Sequence, residues 1–319
     1  MANGGQLTGT AELMVNPQVS VIIPTHNRPG PLAAFLQALS EQDFPSDRFE
    51  VVVVDDGSDT PLEASIAPFR TKLDIMLLSQ ASAGPAAARN AGAAQARGEF
   101  LAFTDDDCTP AVDWLSALEA RLETAPTSAI GGPSVNALTH NPQAVVSQWI
   151  LEWMYRCYNA DLAQARFLAS NNLALPAAGF AAVGGFDHTH FPLAAGEDRD
   201  FCERWRQHGM GLVFAPEVIV RHAPELNARD FWRQHVRRGR GAAAFYRVSQ
   251  RRPWRPARSD LDFQLKWPLW ACQRLWQTGG RRALRLAGLL ALWRVAQATG
   301  YVQEAMGRRT ARGSGVDMG

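Results

Sequence analysis

The sequence predicts an α/β protein: a three-layer α/β/α sandwich around a mostly parallel sheet, followed by a helical C-terminal extension. Two observations support this prediction. Up to Gly132, short apolar runs alternate with segments of helical periodicity, as in right-handed βαβ units. From residue 228 onward, the chain is rich in arginine and holds six of the ten tryptophans. We therefore expect a flexible arm (1–17), an α/β domain (18–227) and a basic, Trp-rich helical extension (228–319).

The first predicted elements alternate between strand and helix. Residues 19–28 (VSVIIPTHNR) indicate a buried strand running into a loop, and apolar residues at 32–39 then follow a helical spacing. Residues 49–56 (FEVVVVDD) predict a second strand, whose unbroken apolar run is typical of a parallel sheet buried on both faces. A helix over 62–69 and a third strand over 74–80 complete the next unit.

The following elements continue this alternation. Gly84-Pro85 is expected to open an alanine-rich helix, because proline is favoured in a first helical turn. Residues 99–107 predict a fourth strand, and Thr109-Pro110 is expected to cap a helix around Trp114. The remaining predicted elements are a helix (143–158), a strand (167–175), a helix (196–209), two short strands (211–216 and 218–222) and helices from 228 onward.

Charge is divided unevenly along the chain. Residues 1–228 hold 13 basic and 26 acidic residues, a net charge of −13, whereas residues 229–319 hold 19 and 5, a net charge of +14. A basic tail on an acidic body favours contact with phosphate or a membrane surface. The four cysteines are too dispersed for a disulfide framework. Neither a signal peptide nor a spanning segment is evident in the sequence, so a cytoplasmic location is expected.

Acidic residues cluster where predicted strands end. Asp55-Asp56 follow the second strand and Asp105–Asp107 follow the fourth, so both groups are expected at the carboxyl edge of the sheet, where ligands bind in such folds. Three adjacent carboxylates repel one another unless a cation offsets them, and oxygen ligands suit Mg²⁺ or Mn²⁺. The alternative is that these aspartates only cap the following helices. Glu197-Asp198 could likewise be a helix N-terminal pair or supply a general base, and His222 alone is more often a structural histidine.

Five sequence blocks occur together in one order. They are VSVIIPTHNR (19–28), VVVVDDGSD (51–59), ARNAGAAQARGEFLAFTDDDC (88–108), GGFD with GEDRDFCERW (184–205) and QHVRRGR (234–240). In these blocks, which span about two-thirds of the chain, the sequence resembles a family 2 glycosyltransferase of the GT-A fold. The resemblance implies that Pro24, Thr25, His26 and Arg28 line the nucleotide pocket. It also implies that Asp56 bonds the base, the N3–H of uracil if the donor is UDP-linked.

The resemblance further implies a metal site. Asp105 and Asp107 correspond to the two ends of the DXD motif and would be ligands of Mn²⁺ or Mg²⁺, while Asp106 between them would contact the ribose. Arg89 belongs to the block that closes over the donor. His222 matches a strand-end histidine that in some relatives approaches the metal or the diphosphate.

The last two blocks imply the catalytic base and further donor contacts. Asp198, in an ED pair with Glu197, would accept the proton of the acceptor hydroxyl. Gln234, Arg237 and Arg238 resemble a Q-x-x-R-W motif in which Arg238 replaces the tryptophan, which argues against a processive synthase. The resemblance thus implies an inverting glycosyltransferase of the hexosyltransferase type. It would move a sugar from a nucleotide-sugar donor to a glycan or lipid-linked acceptor.

The tail leaves two interpretations open. Leu286, Leu289, Leu290 and Trp293 recur at helical spacing among arginines, which suits either a membrane interface at the inner leaflet or packing on the catalytic domain or on a second subunit. Nucleic-acid binding is not expected, because the tail has no recognised nucleic-acid motif.

Two other functions compete with glycosyl transfer, namely a non-catalytic nucleotide-sugar-binding scaffold and a nucleotidyltransferase. The sequence specifies neither the sugar, the acceptor nor the oligomeric state.

Overall fold

The computed structural model describes residues 17–192, 195–251 and 258–313. The predicted N-terminal arm, apart from Pro17, lies outside the described residues. The strands, numbered along the chain, are β1 (Val19–Thr25), β2 (Phe49–Asp55), β3 (Ile75–Ser79), β4 (Phe100–Thr104), β5 (Cys108–Pro110), β6 (Ala129–Gly131), β7 (Ser134–Asn136), β8 (Asn172–Pro176), β9 (Leu212–Phe214) and β10 (Val220–His222).

Seven strands form the central sheet in the order β3-β2-β1-β4-β8-β6-β9. The first four run parallel, and β8 is antiparallel to both of its neighbours. Every residue of β1 and β2 is buried, as their unbroken apolar runs predicted. The expected mostly parallel α/β sheet is therefore confirmed.

Helices cover both faces of this sheet. They are α1 (Pro29–Leu39), α2 (Glu63–Ile66) with a 3-10 turn (Ala67–Phe69), α3 (Pro85–Gln95), α4 (Trp114–Thr124), α5 (Pro142–Tyr158), α6 (Ala177–Val183), α7 (Glu197–Gln207), α8 (Ala228–Ser249), α9 (Arg258–Thr278) and α10 (Gly280–Gly313). One apolar core joins the sheet to α1, α2 and α4, and a second joins its other face to α3, α6 and α7. Gly92 lets α3 lie close to the sheet, because a Cβ there would be 2.6 Å from Cγ2 of Ile22.

A second, three-stranded sheet corrects one sequence prediction. Thr109-Pro110 does not cap a helix; it lies in β5, which pairs antiparallel with β10. The following helix begins only at Trp114. The pairing of β5 with β10, which lies more than 100 residues later in the sequence, overrides the local capping signal. It places His222 directly opposite Cys108 on the neighbouring strand.

The C-terminal helices pack onto the α/β body through a third core. Leu286, Leu290 and Trp293 are buried against α5 and α9, so the packing interpretation holds for these residues of the predicted amphipathic stripe. Gly239 of α8 and Gly300 of α10 bring the two backbones together, because a Cβ at either would lie 2.0 Å from a carbonyl oxygen of the other helix. Within the described residues, no helix has both the length and the hydrophobicity needed to cross a membrane.

Candidate active site

One cavity of about 700 Å³ lies at the carboxyl ends of β1, β2 and β4 and extends to α8, α9 and α10. All the site residues predicted from the sequence line it. They are Pro24, Thr25, His26, Arg28, Asp56, Arg89, Asp105, Asp106, Asp107, Glu197, Asp198, His222, Gln234, Arg237 and Arg238. Residues from five separate sequence blocks therefore converge on one space. Their individual roles remain predictions.

Hydrogen bonds around Asp56, which follows β2, join it to the loops after β1 and β3. Its carboxylate accepts hydrogen bonds from the backbone N–H groups of Ala83 and Gly84, each at 2.8 Å, and from the side chain of Gln80 at 2.7 Å. The ring Nδ1 of His26 lies 2.9 Å from the carbonyl oxygen of Asp56. These bonds hold a carboxylate at the cavity edge in a fixed orientation, as a base-reading residue requires.

The three consecutive aspartates after β4 have different partners. Asp105 pairs with the buried guanidinium of Arg89. Asp106 is almost fully buried, accepts a 2.8 Å hydrogen bond from the Thr25 hydroxyl and pairs with Arg28 at 2.8 Å. Asp107 lies 3.0 Å from the other terminal nitrogen of Arg28. Two arginines thus offset the repulsion among the three carboxylates.

The pKa values of Asp106 and Asp107 move in opposite directions. Burial raises the pKa of Asp106 to about 6, although Arg28 and Thr25 partly oppose the rise. Burial also acts on Asp107, but its contacts with His222 and Arg28 together hold the pKa of this carboxyl well below its usual range. Asp107 therefore stays ionised throughout the physiological pH range.

Asp107 and His222 form the part of the site best suited to a metal ion. Nε2 of His222 lies 3.2 Å from Oδ1 of Asp107, and the donor atoms of these two residues and Cys108 lie within 4.8 Å of one another. Burial raises the pKa of the Cys108 thiol well above its usual value, so this residue offers a protonated sulfur. The carboxylate suits Mn²⁺ or Mg²⁺, whereas imidazole is a ligand of transition metals, so the pair fits Mn²⁺ better than Mg²⁺. Asp105 lies outside this cluster of donor atoms and is paired with Arg89.

Glu197 and Asp198 are the first two residues of α7, and both line the cavity, Glu197 as a buried residue and Asp198 as a partly buried one. Gly196, with a φ of +97°, supplies the left-handed turn that starts this helix. Asp198 Oδ2 accepts a 3.3 Å hydrogen bond from the backbone N–H of Ser170. Asp198 Oδ1 and Glu197 Oε2 are buried with no hydrogen-bond partner among the described residues. Unpartnered buried oxygens of this kind point to a ligand or substrate group that would bind them.

Burial sets the charge state of this pair. Desolvation, with repulsion from Asp198, raises the pKa of Glu197 to about 8, and desolvation also raises the pKa of Asp198. Two buried arginines act on both carboxylates. Burial lowers the pKa of Arg238 despite Asp198 and Glu197, whereas the surrounding carboxylates outweigh burial and raise the pKa of Arg89. The pair is therefore poised to exchange a proton near neutral pH.

One face of α8 brings Gln234, Arg237 and Arg238 to the cavity, because residues three and four positions apart lie on the same side of a helix. The helix is capped by Asn227, whose side chain accepts hydrogen bonds from the N–H groups of Arg229 and Asp230. Gln234 Oε1 is buried without a partner among the described residues. This face can therefore donate to, and accept from, a bound polar group.

Several cavity residues carried no signal in the sequence. Ser170 and Asn171 come from the segment before β8, and Arg199 follows the acidic pair directly. The Arg199 guanidinium lies 4.2 Å from the ring centre of Phe245. The far end of the cavity is apolar and is lined by residues of α5, α9 and α10, among them Met154, Phe263 and Trp293. Arg199 lies in a recognised sequence block and Trp293 in the predicted amphipathic stripe, but neither pattern shows that tertiary packing brings these residues to the site.

Comparisons with known proteins agree with this geometry. A family model described as glycosyl transferase family 2 matches residues 20–180, and one described as glycosyl transferase family group 2 matches residues 101–304. The pre-mycofactocin glycosyltransferase of Mycobacterium tuberculosis H37Rv is 31% identical over 222 residues, covering 67% of this chain and 44% of that protein. The glycosyltransferase AglE of Haloferax volcanii is 28% identical over 269 residues, covering 82% and 86%. The chain thus spans less than half the length of the first of these relatives.

Two solved structures share the fold. The mannosyltransferase PcManGT of Pyrobaculum calidifontis, in complex with GDP-Man and Mn²⁺, superposes with a TM-score of 0.65 at 21% identity, covering 92% of this chain and 88% of the other. Residues 1–349 of Staphylococcus aureus TarS, in complex with UDP-GlcNAc, superpose with a TM-score of 0.54 at 19% identity, covering 92% of each chain.

Proposed function

Because the chain belongs to glycosyl transferase family 2 and has the GT-A fold, we propose that it is a metal-dependent, inverting glycosyltransferase. It moves a sugar from a nucleotide-diphosphate sugar to an acceptor hydroxyl. One observation carries the proposal: the Glu197-Asp198 pair, in which one oxygen of each carboxylate has no hydrogen-bond partner among the described residues, shares a cavity with the Asp107–His222 pair and with the loops after β1 and β2.

The donor is proposed to be UDP-linked and to bind at the carboxyl ends of β1, β2 and β4. Asp56 would accept from the base, Asp106 would contact the ribose, and Pro24, Thr25 and His26 would line the nucleotide pocket. The structural neighbours named above carry UDP-GlcNAc in one case and GDP-Man in the other. A binding experiment that compares UDP- and GDP-sugars therefore decides which nucleotide this chain prefers.

The diphosphate would lie between two positively charged groups. Asp107 and His222, joined by Asp105 once it releases Arg89, would hold a divalent metal, which when bound neutralises the departing diphosphate. On the opposite side, Gln234, Arg237 and Arg238 offer donors from α8. Stabilising the negative charge that develops on a leaving group is the largest single contribution such a site can make.

Asp198 is proposed as the general base. It would take the proton of the acceptor hydroxyl as that oxygen attacks the anomeric carbon from the face opposite the diphosphate. The bond from the anomeric carbon to the diphosphate oxygen breaks, and its electron pair leaves with the nucleotide. One such displacement inverts the anomeric configuration, and it needs no covalent enzyme intermediate. Repulsion between Glu197 and Asp198 helps to raise the pKa of Glu197 to about 8, so that the pair can exchange a proton near neutral pH.

The acceptor is proposed to be a glycan or a lipid-linked glycan. A lipid-linked acceptor would make the enzyme a peripheral protein at the inner face of the membrane. A scaffold function is disfavoured because a protein that only binds has no need of a general base such as Asp198. A nucleotidyltransferase would instead release pyrophosphate from a nucleoside triphosphate.

The test is to replace Asp198 by Asn, which keeps the shape and removes the base. We expect turnover to fall about 10²–10⁴-fold, while the affinity for the donor with Mn²⁺ changes little. Asp113→Asn is the matched control, because Asp113 is exposed, lies outside the cavity and makes no side-chain cap bond. Full turnover by the Asp198→Asn variant would refute the assignment of the base. Pyrophosphate release from a nucleoside triphosphate would refute glycosyl transfer.

A further inference from the structure

The solvent-facing side of α9 is apolar. Leu261, Leu265, Leu269, Cys272 and Trp276 are all exposed, the three leucines by 60–76% and Trp276 by 86%. At 3.6 residues per turn these five positions fall within one arc of about 80° and extend over about 22 Å. We call this set the α9 stripe. An exposed apolar surface of this kind is uncommon on a protein that meets only water.

The opposite side of the same helix is apolar as well. Phe263 and Ala271 are buried in the third core, and Trp267, Trp270 and Leu275 pack against it. Because this inner side already satisfies the packing needs of the extension, the α9 stripe contributes nothing to the described fold. α9 therefore carries apolar side chains on two sides, of which only the inner one is covered by the described fold.

The charge around the α9 stripe is positive. Residues 263–303 contain six lysines and arginines and no aspartate or glutamate. Arg281, Arg282 and Arg285 are exposed where α9 passes into α10, and Leu284, 75% exposed, lies among them. At the other end of the stripe, Lys266 pairs with Asp262 at 2.9 Å. The surface therefore combines exposed leucines, an exposed tryptophan and unbalanced arginines.

We propose that the α9 stripe and these arginines dock on the surface of an anionic lipid bilayer. Leucine and tryptophan side chains would enter the boundary between headgroups and acyl chains, and the arginines would face the lipid phosphates. A second copy of the chain fits less well, because this segment would add six more cations and only one carboxylate, Asp262, to balance them. The docking goes beyond the proposed glycosyl transfer and can be tested without it.

The docked orientation would place the cavity beside the lipid. Phe263 and Gln264 of α9 and Trp293 of α10 line the apolar end of the cavity, while Leu261 and Leu265 of the same helix turn face outward. One helix thus separates the membrane surface from the apolar end of the site. An acceptor whose apolar anchor lies in the membrane would therefore have to pass only this helix to reach the cavity.

The experiment is flotation of the full chain with vesicles of phosphatidylcholine alone or with roughly 30% phosphatidylglycerol. We expect the protein to float with the anionic vesicles, and a Leu265→Ser/Leu269→Ser variant to bind at least about tenfold more weakly. An Arg281→Gln/Arg285→Gln variant should bind about 20-fold more weakly and lose its preference for anionic lipid. Leu162→Ser, a change at an exposed leucine outside the stripe, is the control and should bind as the parent does.

A second readout distinguishes insertion from simple charge attraction. Brominated acyl chains should quench part of the fluorescence of the parent protein, and the quenched part should disappear in Trp276→Phe. Melting curves of the variants should match the parent, because every changed side chain is exposed. Failure of the parent to float with anionic vesicles would overturn the proposal. So would a lipid-independent dimer that the Leu265→Ser/Leu269→Ser variant abolishes.

Discussion

At the scale of single residues, the site depends on carboxylates held where water does not reach them. Glu197 is nearly fully buried, and one oxygen of each carboxyl in the Glu197-Asp198 pair accepts no hydrogen bond from the described residues. Burial of this kind favours the neutral form and therefore destabilises the folded state whenever the group must ionise. A carboxylate pair with raised pKa values is suited to proton transfer near neutral pH.

This burial predicts a pH-dependent stability. The pKa of Glu197 rises from 4.5 to about 8 on folding. The folded state therefore binds more protons than the unfolded state between these values, and stability falls as pH rises through that window. A Glu197→Gln variant has no ionisable group at this position, so its stability does not fall in this way as pH rises. Its melting temperature relative to the parent should increase by at least about 3 °C from pH 5 to pH 8.

The control for this measurement is Glu123→Gln, since Glu123 is exposed on α4. Its melting temperature should follow that of the parent at every pH. A constant offset between Glu197→Gln and the parent from pH 5 to pH 8 would show that Glu197 does not carry the proton proposed here.

Sequence reasoning predicted which residues line the cavity but not which of them pair. The blocks that carry Arg89, Asp105 and Asp107 are recognisable because each follows a strand or opens a helix. The pairing of Arg89 with Asp105, and of His222 with Asp107, depends on three-dimensional packing that no local pattern encodes. Ser170 and Arg199 went unnoticed for the same reason.

At the scale of elements, the closest packing in the extension joins α8 to α10. A Cβ at Gly239 would lie 2.0 Å from the carbonyl oxygen of Gln297, and a Cβ at Gly300 would lie 2.0 Å from that of Val236. Each glycine therefore accommodates the backbone of the other helix. Since α8 also carries Gln234, Arg237 and Arg238 into the cavity, this contact positions part of the donor site.

A methyl group at this contact should force the helices apart. We expect Gly239→Ala to lower the free energy of unfolding by about 2–4 kcal/mol, as for other overpacked interfaces, and to weaken donor binding. Gly288→Ala is the matched control, because a Cβ at Gly288 of α10 would have no atom of another element within 4 Å. It should stabilise the protein by about 0.5–1 kcal/mol through helix propensity. Equal melting temperatures for the two variants would contradict the close packing.

The elements predicted best were those with strong local signals. Buried parallel strands such as β1 and β2 showed unbroken apolar runs, and α3 began at the expected proline. Thr109-Pro110 was misassigned because its partner β10 lies far along the chain. In the extension, helical periodicity identified α10 but could not show which apolar stripe is buried. Leu290 is inside the protein, whereas Leu265 of α9 is outside.

At the scale of the whole molecule, the two halves of the charge pattern meet at the cavity. The acidic body contributes the carboxylates at the strand ends, and the basic extension contributes the α8 arginines that face them. The division between residues 18–227 and 228–319, drawn from composition, remains a prediction about domains. The cavity walls come from both parts, so the proposed donor site includes residues of the extension as well as of the α/β body.

The central claim is that this cavity binds a nucleotide-diphosphate sugar together with a divalent metal. The most direct measurement is a thermal-shift panel of UDP-, GDP- and dTDP-sugars, each with and without Mn²⁺, on the parent and on Asp107→Asn. A ligand at about 100 times its Kd stabilises the native state by about 2.7 kcal/mol. We expect one nucleotide family, UDP by our proposal, to raise the melting temperature of the parent only with metal, and the rise to vanish in Asp107→Asn. No shift with any nucleotide in the presence of Mn²⁺, or an undiminished shift in Asp107→Asn, would contradict the account.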